Sequence, residues 1–440
     1  MIRKAMMDLI DWKNGKDHKP VIIRGVRQVG KTWLMKEFGK KHFKNSAYIN
    51  FDNNLKMQKL FSGDFDIKRI IGGLEIESGV KINAGDTLLI LDEIQECHTA
   101  LSSLKYFNEN APEYMIIAAG SMLGIALHGG MSFPVGKVEF IDLFPLSYLE
   151  FLKAAGQEKL LEPVKKGDFA ITNVFSEKYI DLLRSYYFVG GMPEAVAEFI
   201  KTNSYEKVRH IQQNILSAYE QDFSKHIQSS IVTKLRMLWN SIPAQLSKEN
   251  HKFVYGLIRH GARAKEYEVA LTWLCDYGLA CKVNRINKPD IPLKAYEDNS
   301  IFKLYVSDVG LLGALCGLEA KTLLEGSKIF TEFKGSLSEQ YVFQELRAIK
   351  NLQISYWVPE IGSAEVDFVV QSGTKVVPVE VKAEENLKAK SLKSYRERYY
   401  PEVAVRASMS GFISKDGLFN IPLYLISLLP DIIRKELNEH

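Results

Sequence analysis

The first residues with clear chemical potential lie near the start of the chain, where eight consecutive residues read GVRQVGKT. They follow a short apolar run at residues 21–23 and precede a helical pattern that begins at Trp33. In that setting, backbone N–H groups of a glycine-containing loop and the start of a helix can surround phosphate groups. We therefore predict a P-loop that binds ATP, formed by Gly25, Val26, Arg27, Gln28, Val29, Gly30, Lys31 and Thr32.

Two side chains of this loop have distinct expected roles. Lys31 would reach the β- and γ-phosphates of ATP, and the hydroxyl of Thr32 would be a ligand of Mg²⁺. The alternative is an ordinary glycine-rich turn, but the position between a strand and a helix favours phosphate binding.

A pair of carboxylates follows about sixty residues later, at the end of the apolar run in TLLILDE. Burying a charge without a partner is costly, so adjacent acids at the end of a buried strand need an explanation. Asp92 is suited to holding Mg²⁺, and Glu93 is suited to polarising the attacking water as a catalytic residue. A solvated strand end is the alternative.

The next apolar run ends in AAGS, which places Ser121 beside the γ-phosphate if the sheet has the usual winding. A serine in a simple turn is equally expected there. The cation that completes phosphoryl transfer is not singled out by the sequence, which offers Lys137, Arg184, Arg24 and Arg27. Whether hydrolysis needs a neighbouring subunit also stays open.

A second set of chemically suitable residues lies near the end of the chain, in EVDFVV and VPVEVK. Strand alternation puts Glu380 and Lys382 on one face, and Asp367 belongs to the preceding strand. The two acids could bind Mg²⁺, which would activate water for phosphodiester hydrolysis, with Lys382 as a further catalytic residue. Glu339, on the preceding helix, could join them. In the alternative, the acids pair with Lys382 and hold no metal.

Cations and tyrosines alternate after these acids, a pattern that suits contact with the backbone and bases of DNA or RNA. The alternative is a solvated helix face. The residues concerned are Lys388, Lys390, Lys393, Arg396 and Arg398, with Tyr395, Tyr399 and Tyr400.

Four segments differ in pattern and predict four domains. Residues 1–150 alternate short apolar runs with helical stretches, which favours an α/β domain with a parallel sheet. Residues 151–225 read as a helical lid, and residues 226–325 as helices followed by a hairpin, which suggests a winged-helix domain. Residues 326–440 read as a separate α/β domain.

Composition excludes several classes of protein. The net charge of +4, from 57 basic and 53 acidic residues, is too small to indicate nucleic-acid binding by itself. The four cysteines form no CxxC pair, which argues against a zinc site and favours a reducing cytoplasm. We find neither the apolar core of a signal peptide nor a run long enough to cross a membrane. We therefore expect a soluble cytoplasmic protein.

The chain as a whole resembles the prokaryotic AAA-type ATPases that carry a C-terminal domain of unknown function (family 4143). The motifs that carry the resemblance are GVRQVGKT, LILDEIQ, AAGS, VEFIDLFPLSYLEFL, YFVGGMPEAV, FKLYVSDVGLLGAL and EVDFVV with VPVEVK. The resemblance implies an AAA-type core, a helical or winged-helix middle and a restriction-endonuclease-like end. The last is similar to the PD-(D/E)xK nuclease pattern, with Val366 in place of the proline.

The resemblance also bears on two details of nucleotide binding. In related signalling ATPases a Gly-x-Pro turn contacts the adenine, and Gly191-Met192-Pro193 is similar, so Pro193 is a further candidate for binding the nucleotide. Relatives often carry Gly-Arg where this chain has Gly136-Lys137. Lysine lacks the planar fork of arginine, so the role of an arginine finger in phosphoryl transfer does not carry over directly to Lys137.

Two functions compete. The first is an ATPase that controls a nuclease acting on DNA or RNA. The second is a nucleotide-dependent switch or scaffold whose C-terminal domain binds a partner without cleavage. A Lys382 salt bridge that fills the space for a metal would favour the second. A small-molecule kinase is a weaker third reading, and a homo-oligomer is a further possibility for an AAA-type core.

Overall fold

The computed structural model describes residues 3–120, 133–225, 229–248, 252–321, 331–359, 364–383 and 390–437. The chain divides into two compact units, one of Met1–Phe144 with Asp276–Leu279 and one of Pro145–Cys275 with Ala280–His440. The domain boundaries predicted after residues 225 and 325 lie inside the second unit, and they stay predictions.

The first unit alternates helices and strands. In chain order its elements are α1 (Ala5–Asn14), β1 (Val21–Arg24), α2 (Lys31–His42), β2 (Asn45–Asn50), α3 (Leu55–Phe61), α4 (Ile67–Ser78), β3 (Thr87–Asp92), α5 (His98–Asn110), β4 (Met115–Ala119) and β5 (Glu139–Asp142).

The five strands of this unit form one parallel sheet in the order β2-β3-β4-β1-β5. Every residue of β3 and β4 is buried, because helices connect the parallel strands and cover the sheet. The apolar runs that form β1, β3 and β4 are therefore interior strands, as predicted. The run at residues 47–49 was also predicted to be fully buried, but it lies in β2, which is at the edge of the described strands and alternates between buried and partly exposed residues. Parallel pairing brings the carboxyl ends of β1 and β3 to the same edge of the sheet.

The second unit begins with helices. They are α6 (Tyr148–Ala154), α7 (Glu158–Lys166), α8 (Phe169–Val174), α9 (Ser176–Val189), α10 (Pro193–Thr202), α11 (Tyr205–Lys225), α12 (Ser229–Leu246) and α13 (Ala264–Asp276).

Strands and further helices follow. They are β6 (Ala280–Ile286), β7 (Glu297–Val306), α14 (Val309–Leu315), α15 (Thr331–Arg347), β8 (Gln353–Trp357), β9 (Val366–Ser372), β10 (Lys375–Val381), α16 (Lys390–Tyr399), β11 (Ala404–Ser408), β12 (Ile413–Lys415), β13 (Leu418–Pro422) and α17 (Leu429–Glu436).

The strands of the second unit form one sheet in the order β12-β13-β11-β10-β9-β8-β6-β7. The predicted hairpin is present as the antiparallel pair β6–β7. It joins the C-terminal strands through two parallel residue pairs between β6 and β8, Arg285 with Tyr356 and Ile286 with Trp357. The hairpin and the C-terminal strands thus share one sheet, and the winged-helix assignment stays a prediction.

Within the described ranges, no helix is both long and apolar enough to cross a membrane.

Candidate functional site

The eight residues of the predicted P-loop connect β1 to α2. Gly25 packs closely against the chain, since a Cβ atom there would lie 2.3 Å from the carbonyl oxygen of Leu143. Gly30 precedes α2 with a φ of 97°, a left-handed conformation that glycine adopts without steric cost. Both loop glycines are therefore required by the shape of the backbone.

Lys31 is buried at the start of α2 and folds back over the loop. Its Nζ donates hydrogen bonds to the carbonyl oxygens of Gly25, at 2.8 Å, and Val26, at 3.0 Å. Burial lowers the pKa of Lys31 to about 8, although the nearby carboxylates Glu93 and Asp92 oppose that change. Phosphate groups would have to replace the two carbonyl oxygens as partners of this ammonium group.

Asp92 is buried at the end of β3, and three hydrogen bonds hold its carboxylate. The hydroxyl groups of Thr32, at 2.6 Å, and Tyr48, at 3.0 Å, both donate to Oδ2. The backbone N–H of Glu93 donates to Oδ1 at 3.1 Å. A hydroxyl and a carboxylate in direct contact supply the oxygen ligands that Mg²⁺ prefers, so Thr32 and Asp92 fit the predicted metal.

Sequence reasoning missed Tyr48. Burial, together with the charge of Asp92 and the hydrogen bond to it, raises the pKa of the Tyr48 hydroxyl well above its usual range. The hydroxyl therefore stays a donor that orients Asp92. The available signal was indirect: Tyr48 lies in β2, the strand that pairs with β3.

Glu93 follows Asp92 with a φ of 50°, in the left-handed region. Such a conformation is uncommon for a residue with a side chain and is concentrated at functional sites. The side-chain amide of Gln95 donates to Oε2 of Glu93 at 2.7 Å and so orients the carboxylate. The backbone conformation and the hydrogen bond from Gln95 thus fix the direction of the Glu93 carboxylate, as a residue that polarises the attacking water requires.

Three of the candidate cations form ion pairs at the protein surface. In the first unit, Arg24 makes two hydrogen bonds to Asp142, at 2.8 and 2.9 Å, and Lys137 lies 2.9 Å from Glu109. In the second unit, Arg184 lies 3.0 Å from Asp181. Arg27 lies in the loop itself, and its charge lowers the pKa of Lys31 further. Ser121 lies outside the described residues.

Pro193 is the first residue of α10, directly after the glycine turn at residues 190–192. Asp308, fully buried, holds this turn: its Oδ2 accepts from the N–H of Gly191 at 2.6 Å. Its Oδ1 accepts from the N–H of Leu311 at 2.9 Å and caps α14. Burial raises the pKa of Asp308 to about 6, and the backbone hydrogen bonds only partly offset this.

The second unit contains a group of acids around Lys303. Sequence reasoning named Glu339 and Asp367 but neither Lys303 nor Glu365. We use the name carboxylate centre for Glu339, Glu365 and Asp367. Nζ of Lys303 lies 2.9 Å from Oε1 of Glu339 and 2.5 Å from Oε1 of Glu365, and the Lys303 side chain is 0% exposed. The hydroxyl of Tyr305 donates to the same oxygen of Glu339.

The electrostatics of the carboxylate centre depend on Lys303. Burial alone would lower the pKa of Lys303, but the charges of Glu339, Glu365 and Asp367 outweigh it and raise this pKa above its usual value. Burial and the charge of Glu339 raise the pKa of Asp367, and Lys303 opposes that change. A lone charged lysine in the apolar run IFKLYV is the signal that could have identified this group.

The predicted catalytic residues of this region have protein partners. Oδ2 of Asp367 accepts from the N–H of Val381 at 2.7 Å. Glu380 contacts Nζ of Lys382 at 2.7 Å through Oε1 and accepts from the N–H of Leu392 at 2.9 Å through Oε2. In the part of the chain that the structure describes, no group of three or more His, Cys, Asp or Glu is arranged to hold a metal. Of the contacts considered in the alternative, the one between Lys382 and Glu380 is present, whereas Asp367 accepts a hydrogen bond from a backbone N–H.

The basic segment at residues 388–400 is less exposed to solvent than predicted. Tyr395 is buried, with its ring centroid 5.1 Å from that of Trp357 and 5.0 Å from that of Tyr399. It therefore cannot stack on a base without leaving the core, which corrects the expectation for this residue. Arg396 donates to the carbonyl oxygen of Asp416, while Tyr400 is exposed. Lys388 lies outside the described residues.

Residues 17–152 match the family model described as an AAA domain, which defines an ATP-binding, AAA-type ATPase domain in this chain. Residues 180–322 and 334–428 match two further models, each described as a domain of unknown function (DUF8612 and DUF4143). The AAA-type core and the C-terminal domain of family 4143 expected from the motifs are thus confirmed. The restriction-endonuclease-like character of that domain stays a prediction.

Solved structures that match the chain include a Walker-type ATPase of Pyrococcus abyssi, at 14% identity and a TM-score of 0.44 over 71% of this chain and 95% of that one. The ORC1 protein of Aeropyrum pernix in complex with DNA matches at 10% identity and a TM-score of 0.27, over 72% and 91% of the two chains. Cdc6p of Pyrobaculum aerophilum matches at 12% and 0.24, over 73% and 93%. No curated protein matches the chain in sequence.

Proposed function

We propose that this protein hydrolyses ATP at the P-loop and uses the nucleotide cycle to control its second unit. The observation that carries the proposal is the arrangement of Lys31, Thr32, Asp92 and Glu93 at one edge of the parallel sheet. Thr32 and Asp92 are in direct contact, and Glu93 is oriented by Gln95. A phosphate loop, a metal-binding pair and an oriented acid are the parts that phosphoryl transfer to water needs.

Each residue has a defined part in the proposed reaction. Lys31 exchanges the carbonyl oxygens of its own loop for the phosphates of ATP. Thr32 and Asp92 hold Mg²⁺, which when bound neutralises phosphate charge. Glu93 accepts the proton of a water molecule whose oxygen attacks the γ-phosphorus, and the bond to the β-phosphate oxygen breaks to give ADP and phosphate.

Substitution of Glu93 tests the proposal. We expect Glu93→Gln to retain ATP binding and to lose about a hundredfold or more in the rate of phosphate release, because the amide cannot accept the proton. Glu96→Gln is the matched control, since Glu96 lies in the same turn and is exposed. Hydrolysis by Glu93→Gln at the wild-type rate would refute the role of this residue. Lys31→Ala should instead lose ATP binding.

The second unit supports two candidate outputs. Cleavage of DNA or RNA is supported by Asp367 and Glu380 on the antiparallel strands β9 and β10, with Lys382 directly after β10. In this reading Asp367 and Glu380 hold Mg²⁺ and Lys382 assists catalysis. The test is cleavage of single- and double-stranded DNA and RNA with Mg²⁺ or Mn²⁺, with and without ATP. Cleavage that is lost in Asp367→Ala supports a nuclease site at these residues. Cleavage that survives in Asp367→Ala would show that Asp367 is not part of the site responsible.

The alternative output is a nucleotide-dependent switch or scaffold that binds a partner without cleavage. The specific observation in its favour is the ion pair of Lys382 with Glu380, which gives this acid a protein partner. ATP turnover without cutting under any of the conditions above would support the switch. Metal-dependent cutting that requires Asp367 would exclude it.

A further inference from the structure

Four residues from far along the chain belong to the first unit. The turn Asp276–Leu279 joins α13 to β6, and it groups with residues 1–144 rather than with the helix and strand on either side of it. Tyr277 and Leu279 of this turn are buried. The turn is therefore part of the packing of the unit that contains the P-loop, although the chain enters and leaves it from the second unit.

The turn meets the P-loop at Val26. Gly278 has a φ of 80°, and a Cβ atom at this position would lie 3.2 Å from Cγ1 of Val26. That distance is shorter than an ordinary contact between carbon atoms, so a side chain at Gly278 would displace that of Val26. Val26 is itself buried. The loop and the turn thus pack with no spare space between these two residues.

Val26 lies in the part of the loop that nucleotide binding must change. Its carbonyl oxygen accepts from Nζ of Lys31 at 3.0 Å and from the N–H of Val29 at 3.4 Å. Phosphate groups that replace the carbonyl oxygens as partners of Lys31 would remove the first of these two bonds. Because packed interiors transmit strain, a change in the backbone at Val26 is passed through its side chain to Gly278.

We infer that the turn Asp276–Leu279 senses the nucleotide state of the P-loop through Val26 and transmits it to the β6–β7 hairpin. The peptide bond from Leu279 to Ala280 leads directly into β6, so a shift of the turn moves the first residue of the hairpin. The inference rests on the proposed function, since it names the route by which nucleotide binding reaches the second unit. Such a coupling is reciprocal: displacement of the hairpin must change the affinity for ATP by the same factor.

Two glycines that flank α13 provide a matched pair of variants. Gly261 and Gly278 have φ values of 78° and 80°, so alanine has the same backbone cost at both positions. A Cβ atom at Gly261 would meet no atom within 4 Å. We expect Gly278→Ala to weaken binding of the non-hydrolysable ATP analogue AMP-PNP about fivefold or more, the lower end of couplings between sites. Gly261→Ala should bind it as the wild type does, and competition against a fluorescent nucleotide would measure both.

A double variant separates this contact from a general loss of stability. Val26→Ala removes the methyl groups against which Gly278→Ala would press. The double variant should therefore bind AMP-PNP as tightly as Val26→Ala alone, and it should fold even if Gly278→Ala does not. Additive losses from the two substitutions would overturn the inference, as would equal affinities of Gly278→Ala and Gly261→Ala.

Hydrogen exchange followed by mass spectrometry tests the transmission itself. In the wild type, AMP-PNP should slow amide exchange in residues 277–286 about fivefold or more, because it orders the loop against which the turn packs. Val26→Ala at saturating AMP-PNP should show no such slowing. Equal slowing in the wild type and Val26→Ala would overturn the inference.

Failure of the proposed function gives a different result from failure of this route. A wild type that binds neither ATP nor AMP-PNP refutes the ATPase proposal and the inference with it. A wild type that binds and hydrolyses ATP, but in which residues 277–286 exchange at an unchanged rate, refutes only the route through Val26.

Discussion

Replacing Asp308 with asparagine should change the pH dependence of stability in a way that the structure predicts quantitatively. Asp308 is fully buried, and burial raises its pKa from the usual 3.8 to about 6. The folded chain therefore holds this proton more tightly than the unfolded chain. The resulting stabilisation is fully present below about pH 4 and is lost as pH rises through about 6.

The size of the effect follows from the same two values. A rise of the Asp308 pKa from 3.8 to about 6 corresponds to about 3 kcal/mol over the whole titration, of which about 1.4 kcal/mol falls between pH 7.5 and pH 5. Asparagine binds no proton in this range. The wild type should therefore gain about 1.4 kcal/mol in free energy of unfolding over the variant when the pH is lowered from 7.5 to 5.

Urea unfolding followed by circular dichroism at several pH values would measure this difference. The variant should also be less stable at every pH, because an amide offers one oxygen where Asp308 accepts from Gly191 and Leu311 through two. Asp168→Asn is the control for removing the charge of a capping residue at a solvent-accessible site, since the amide oxygen can still accept the hydrogen bond that caps α8. Parallel pH curves for the wild type and Asp308→Asn would refute the reasoning.

Two further predictions concern the P-loop and the glycine turn. The affinity for ATP should fall up to about tenfold per pH unit above pH 8, because the pKa of Lys31 is lowered to about 8 and phosphate needs the ammonium form. Lys31→Arg should remove this dependence in a fluorescent-nucleotide titration, and a flat wild-type profile would contradict it. Gly191→Ala should lower the free energy of unfolding by about 1–3 kcal/mol, since its Cβ would lie 2.1 Å from the carbonyl oxygen of Leu146. Gly335→Ala on α15, where a Cβ meets open space, should be neutral or stabilising in the same urea unfolding, and equal losses in the two variants would count against the steric argument.

The first unit was largely predictable because its signals are local. The residues of the P-loop are consecutive, and their strand-to-helix context can be read from the neighbouring residues. The interior strands are continuous apolar runs, as parallel sheets require. The partners of Lys31 and the hydroxyl of Tyr48 on Asp92 were not predictable, since they depend on side-chain positions that no spacing in the sequence specifies.

The second unit was harder to predict because its important contacts join distant segments. Lys303 and Glu339 lie 36 residues apart, and Gly191 and Asp308 lie 117 residues apart. The sequence pattern identified Asp367, Glu380 and Lys382, which are close in the chain. That pattern predicted Lys382 as the only counter-ion of these acids. Lys303 was missed because no sequence motif connects this lysine, in a preceding hairpin, with them.

The junction between β6 and β8 has a consequence for how this protein can be divided. One matched family of unknown function ends at residue 322, and the other begins at residue 334. The strands of both segments nevertheless belong to the same sheet. A fragment that starts at residue 326 would expose the edge of β8 to intermolecular strand pairing and would leave Glu339 without its buried counter-ion. We therefore expect the hairpin and the C-terminal strands to fold as one unit, so that a chain cut between them would be prone to aggregate.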